Sequence, residues 1–278
     1  MAKKVIFPIM ALSANQKTMQ EYLEFAKALA KKGSTKLAEN FGRLHDGDIE
    51  SKGPKDFLTR LDKEVEQMYV RAIREKYPNH GIIGEEGTDE NKDAEFVWVL
   101  DPLDGTRNYS IQVPFYATVI CLLKNNEPVV GVISVPTVSK VYSAVKDKGA
   151  FLNDSKTHVS DQSELTRSSV LYCHTADQQG IESAEKYAAK LKLAAFGADR
   201  LRTAGGEMGL VAEGLCEAYL LDGLPVWDMA AGALIIREAG GKATDFNGKD
   251  WVPGDKNILV SNGSGIHEEI LKILSSVL

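Results

Sequence analysis

Asp101 and Asp104, two carboxylates three positions apart, close the apolar run Phe96-Val97-Trp98-Val99-Leu100 and open into Gly105-Thr106. Acids at the carboxyl end of a strand stand where the amides of a following turn or helix can meet an anion. Their oxygens are hard ligands suited to Mg2+ or Mn2+, and no cluster of Cys or His accompanies them to favour a softer metal. Three further acids, Asp62, Glu85 and Asp228, fall at junctions between predicted elements. Bound divalent ions can clamp a phosphate monoester, acidify its attacking water and stabilise its leaving alkoxide without any protein nucleophile. The chemistry suggested is therefore metal-assisted phosphate chemistry.

Each residue also has a plainer reading. Asp-Pro-Leu-Asp-Gly is the composition of a surface turn. Asp228 suits a helix N-cap, Asp62 suits the first turn of a helix, and Glu85 suits a solvent-facing loop. An EF-hand is excluded, because its loop needs acids at alternate positions and a closing Glu.

The elements that must position these acids follow from periodicity. Met19, Tyr22, Leu23, Phe25, Ala26, Leu29 and Ala30 predict an amphipathic helix that Gly33 either stops or interrupts. Residues 41–55 read as a loop or loose hairpin, and Leu61, Val65, Met68, Tyr69 and Ile73 predict a second helix starting near Asp62. Ile82-Ile83 leads into Gly84-Glu85-Glu86-Gly87. The β-branched runs 117–123, 129–135 and 141–145 predict an antiparallel meander. Beyond Asp154, strands near 169–172, 196, 217–221, 243 and 258–260 alternate with helices over 181–193, 203–213, 227–238 and from 266. Two α/β halves sharing one cleft are expected, residues 1–155 with most of the acids and 156–278 with Asp228, forming a single compact catalytic unit.

The 278 residues are ample to bury a core, and a formal charge of -6 argues against nucleic acid held on a basic face. Cys121, Cys173 and Cys216 are odd in number and form no C-x-x-C pair, which points to a reducing compartment. Lys3 to Leu12 resembles a very short signal peptide, but its apolar run is brief and broken by Pro8. No run elsewhere approaches the ~20 apolar residues of a membrane span. A soluble, cytoplasmic protein with no membrane or nucleic-acid partner is expected.

Gly84-Glu85-Glu86, the stretch Trp98 to Tyr109, Trp227-Asp228-Met229-Ala230-Ala231-Gly232 and Glu238-Ala239-Gly240-Gly241 together resemble the signatures of the inositol monophosphatase family. Pro114-Phe115, Gly131-Val132-Ile133 and Lys148 to Asn153 add to the likeness, which covers residues 17 to 275 in order. The resemblance implies a layered αβαβα sandwich of the inositol monophosphatase and fructose-1,6-bisphosphatase type, a homodimer, and a lithium-sensitive, Mg2+-dependent phosphomonoesterase with about two to three ions per subunit. Mn2+ is the expected substitute. It further implies metal ligation by Glu85, Asp101, the Leu103 carbonyl, Asp104 and Asp228, with Asp101 bridging two ions. Thr106 and Asp62 match the pair that orients and deprotonates the attacking water, with Glu85 also among the catalytic residues. Gly105 and Thr106 amides match a phosphate cradle, and Lys52 matches a basic residue on a mobile loop.

The chain departs from that family at two places. Where inositol-preferring members carry an acid, this chain has Leu221, followed by Asp222, which can compensate only if the turn is reregistered. In Asp199-Arg200-Leu201-Arg202-Thr203-Ala204-Gly205, Arg202 replaces a small residue and suits a second phosphate or a carboxylate, beside Ala204 on the substrate side. Small sugar or polyol phosphates such as inositol 1-phosphate are the expected substrates, with fructose 1,6-bisphosphate and histidinol phosphate as alternatives. A catalytically quiet regulatory binding protein is an alternative of another class, against which every matched ligand position retains its acid.

Overall fold

The structure, a computed structural model, describes residues 14–53 and 56–278. The run Lys3 to Leu12 therefore lies outside the described residues. The first helix, α1 (Ala14–Asn40), passes straight through Gly33. Gly33 is there for contact rather than termination, since a β-carbon would overlap the Tyr69 hydroxyl. The loose hairpin is real, formed by β1 (Ile49–Gly53) and β2 (Asp56–Thr59). It delivers the chain to α2 (Arg60–Lys76), whose N-cap is Thr59.

Eight strands form the larger sheet: β3 (Gly81–Gly84), β4 (Asp89–Glu90), β5 (Phe96–Asp104), β6 (Ala117–Lys124), β7 (Glu127–Val135), β8 (Lys140–Val145), β9 (Ala150–Leu152) and β10 (Ser155–Lys156). Their order is β10-β9-β8-β7-β6-β5-β3-β4, with β3 parallel to β5 and the meander β5 to β8 antiparallel. A short helix, α3 (Thr106–Ser110), follows β5. The second half begins with β11 (Ser169–His174), α4 (Gln178–Ala194), β12 (Gly197–Asp199), α5 (Ala204–Ala212) and β13 (Ala218–Asp222). It ends with α6 (Val226–Glu238), β14 (Lys242–Thr244), β15 (Asn257–Ser261) and α7 (Gly265–Ser275). Its sheet order is β12-β11-β13-β15-β14. This sheet is mixed, because β11 pairs in parallel with β12 and β13 while β15 runs antiparallel to both its neighbours.

Three apolar clusters glue five layers together. Along β5, Trp98 and Leu100 face the cluster under α1 and α2, and Val97 and Val99 face the cluster under α5 and α6. A strand buried on both faces needs such an unbroken apolar run, with alternate side chains serving opposite cores. The middle cluster joins the large sheet to α5, α6 and the inner face of the small sheet, and a third cluster packs α4 and α7 on its outer face. The result is the expected αβαβα sandwich. Among the described residues no helix is long and apolar enough to cross a membrane.

Candidate metal and phosphate site

The Asp101-Pro-Leu-Asp104 motif is part of β5 itself, with its pairing to β6 irregular between the two acids. That irregularity lets acids three apart share one side of a strand whose side chains otherwise alternate. Asp101 Oδ1 accepts the Leu103 amide at 3.0 Å, and the Asp101 carbonyl accepts the Thr118 hydroxyl, which also bonds Tyr69 of α2. Asp101 is thus held from both its own turn and the neighbouring strand. Gly105 then takes φ +87, a left-handed conformation that suits glycine, and caps α3.

Asp104 meets helix amides, but from a different helix than its position suggests. Its carboxylate accepts N–H groups from Ala204 and Gly205, both at 2.8 Å, and from Gly206 at 3.3 Å, all in the first turn of α5. A carboxylate of this chain therefore occupies the helix N-terminus. Asp228 is not the N-cap of α6, which is Pro225; it projects from the third helical position. Asp101, Asp104 and Asp228 bring one oxygen each to within 4.8 Å of one another.

Burial raises Asp101 and Asp228 well above the usual carboxylate range, reinforced by the charges of Glu85 and Asp104. Burial likewise lifts Asp104 to about 7, against the three amides that favour its ionised form. Three oxyanions this close, two of them buried and the third half-buried, ionise together only beside a cation. An all-oxygen donor set of this kind fits Mg2+. Glu85 follows β3 and faces the same cleft; it is hydrogen-bonded to Asp101.

Asp62 stands at the third position of α2, where its Oδ2 accepts the Thr59 amide at 2.9 Å and the Thr59 hydroxyl. It completes a capping box, as its first-turn reading expects, and its Oδ1 also accepts the Thr106 hydroxyl at 3.0 Å. Thr106 Oγ1 is also 2.9 Å from the Leu103 carbonyl. Asp62 is fully buried, which raises it to about 6 in spite of the Thr59 bonds.

A cleft of about 790 Å3 opens above these groups, lined by Glu85, Asp104, Gly105, Thr106, Ala204 and Asp228, with Arg202 on its wall. Arg202 is exposed and left-handed at φ +62. The far wall holds Arg200 and His174. His174 Nδ1 donates to the Thr175 carbonyl at 2.6 Å, leaving Nε2 to accept from the Arg200 guanidinium. Burial, then the Arg200 charge, lowers the pKa of that imidazole against the Thr175 bond.

Leu221 and Asp222, weighed on the substrate side from the sequence, are not among the residues that line the cleft. Leu221 is wholly buried in the middle core, so its side chain offers no surface to a ligand. Asp222 turns towards α4, accepting the Ser183 hydroxyl at 3.3 Å. Lys52 falls in β1, and its side chain lies outside the described residues.

Three supporting residues escaped the sequence reading. Glu66 is buried and accepts the Glu86 amide at 2.8 Å and the Thr88 hydroxyl at 2.7 Å, anchoring the turn that carries Glu85. Its place one helical turn after Asp62 was the available signal. Glu207, raised to about 8 by burial, accepts the Leu201 and Thr203 amides and holds the loop that bears Arg202. Asn108 donates to the carbonyls of Phe115 and Leu201, tying α3 to that loop.

A carboxylate cluster that could hold a metal ion, facing a cleft beside a hydroxyl–carboxylate pair, is suited to the chemistry of a metal-assisted phosphatase. The family comparison agrees, because residues 18–278 match the inositol monophosphatase family, and the chain belongs to it. The fructose-1,6-bisphosphatase/inositol-1-monophosphatase of Aquifex aeolicus is 32% identical over 262 residues, 92% of this chain and 96% of that protein. The Nus factor SuhB of Haemophilus influenzae is 34% identical over 258 residues, again 92% and 96%. Among solved structures, the extragenic suppressor protein SuhB of Bartonella henselae superposes with a TM-score of 0.87 at 27% identity, covering 93% of this chain and 100% of that one.

Proposed function

We propose that this phosphatase hydrolyses small sugar or polyol phosphate monoesters, inositol 1-phosphate among them, with Mg2+ and by direct attack of water. The observation that carries this reading is the group of three acids within 4.8 Å beside the Thr106–Asp62 pair. Asp101, Asp104 and Asp228, with Glu85 and the Leu103 carbonyl, would hold the ions. When bound, Mg2+ supplies charge neutralisation for the phosphate and lowers the pKa of nearby water.

The chain's own residues do the rest. Thr106 has one proton and two acceptors, Asp62 and the Leu103 carbonyl. Passing that proton to Asp62 frees Oγ1 to take one from the attacking water, so the pair acts as a relay. A carboxyl near pH 6 is ionised at neutrality yet basic enough to receive it. Gly105 and Thr106 line the cleft, where their amides would cradle phosphate oxygens, and Lys52 stands on the hairpin before α2. The halves 1–155 and 156–278 act as one catalytic unit in a cytoplasmic, lithium-sensitive homodimer.

Arg200 and Arg202 on the cleft wall favour a second reading, in which the substrate carries a further anionic group as fructose 1,6-bisphosphate does. The name of the Aquifex relative supports it. Phosphate release should be measured on inositol 1-phosphate, fructose 1,6-bisphosphate, histidinol phosphate and adenosine 3′,5′-bisphosphate, with Asp104→Asn as control. Release that needs Mg2+ and is lost in the variant is expected. Release indifferent to either would sink the reading.

A further inference from the structure

A second cavity of about 500 Å3 lies between one stripe of α1 and the region where β7 turns into β8, and it shares no lining residue with the cleft. Lys27, Lys31, Ser34 and Ala38 line it at helical spacing, so a single face of α1 forms one wall. Val135, Pro136 and Val141 form an apolar wall opposite. At the floor the Ser34 hydroxyl donates to the Ser134 hydroxyl at 2.8 Å, a buried pair that satisfies itself. The interior consequently offers a ligand mainly apolar contact.

The rim is cationic. Lys140 is neutralised by Glu213 at 2.6 Å, and Lys27 reaches Asp154 across the mouth at 2.6 Å. Lys31, one helical turn after Lys27, has no acidic partner among the described residues. Asp154 is 84% exposed, so its hold on Lys27 is weak and solvent-screened. One uncompensated ammonium and one easily released ammonium therefore stand opposite an apolar wall.

We propose that this cavity binds a small organic anion. Its carboxylate, sulfonate or phosphate is held by Lys31 with Lys27, and its apolar body sits against Val135, Pro136 and Val141. The volume lies within the roughly 300–1,000 Å3 span of small-molecule sites. Charge complementarity selects the occupant, because Asp154 is the only acid in the lining and is itself already paired.

Naphthalene-2-sulfonate is a suitable probe, since it combines one anionic group with a flat apolar body and holds no phosphoester bond to cleave. Calorimetric titration of the full chain should show one saturable site that persists when inorganic phosphate and Mg2+ are in excess. Lys31→Glu should weaken binding about tenfold or more, and Asp154→Asn should tighten it about two- to fivefold by releasing Lys27. Asparagine tolerates the left-handed backbone at position 154, where φ is +66. Ala38→Phe, at an exposed helical position, should abolish binding by filling the cavity. All three variants should keep wild-type phosphate release, which reports that they fold. The proposal is overturned by no saturable binding, by affinity indifferent to Lys31→Glu and Asp154→Asn, or by displacement of the probe by phosphate with Mg2+.

Discussion

Thr106 and Asp62 form the smallest unit whose chemistry can be tested. Their 3.0 Å bond crosses from α3 to α2, so neither helix alone contains the relay. Thr106→Ala and Asp62→Asn should each lower kcat by roughly 10²- to 10⁴-fold, with Thr106→Ser retaining most activity because it keeps the hydroxyl. Mg2+ affinity, read by calorimetry, should change far less than kcat in Thr106→Ala. A parallel collapse of both would place Thr106 in ion binding instead. Asp228 tests the opposite balance. Burial and neighbouring charge disfavour its ionised form, so Asp228→Asn should raise Tm in a chelator while eliminating phosphate release. Unchanged or lowered Tm in the chelator would contradict the repulsion described here.

At the scale of elements, supports matter as much as ligands. Glu66 is 3% exposed and gathers two groups of the turn after β3. Glu66→Gln keeps its volume but loses a charged acceptor, which should cost about 1–3 kcal/mol in stability and weaken Mg2+ binding through Glu85. Denaturant unfolding and Mg2+ titration measure the two effects separately. His267 offers a pH test in the other half. It is 1% exposed, with Nε2 beside the Thr244 hydroxyl of β14 and Nδ1 beside the Ser261 hydroxyl of β15, and burial lowers its pKa from 6.5 to about 4. Its neutral form is the one the fold accepts. The stability it contributes is full above pH 6.5 and declines as pH falls towards 4, by on the order of 3 kcal/mol. Comparing His267→Asn with the parent between pH 7 and 4 should show that loss in the parent alone.

For the whole molecule, ions and protons compete for the same cleft. Asp104 at about 7 and Asp62 at about 6 are raised, so the metal-free fold favours their protonated forms and loses stability as pH rises from 3.8 through those values. Cations reverse the preference. The gain in Tm on adding Mg2+ should therefore grow between pH 5 and 8, and Mg2+ binding near pH 7 should release protons, seen as a buffer-dependent heat. A gain independent of pH would mean that Asp104 does not bind the ion.

The motif at 101–106 and the periodic runs around it determined most of the elements, because strand and helix periods are local properties. They also determined which acids belonged together, once the ordered segments resembled a family. Contacts across the fold could not be read that way. Gly33 suits either a stop or an interruption of the helix until Tyr69 is seen against it, and the cap that was the plainer reading of Asp228 is taken by Pro225. The partner of Asp104 turned out to be the start of α5, a hundred residues further along the chain. Leu221 marks the sharpest limit. Its residue type showed that the family's acid is absent, but only the packing of β13 against the middle core decided that the side chain is wholly buried. Sequence carries the identity and local direction of a side chain, whereas its neighbours are chosen by how separate layers close on one another.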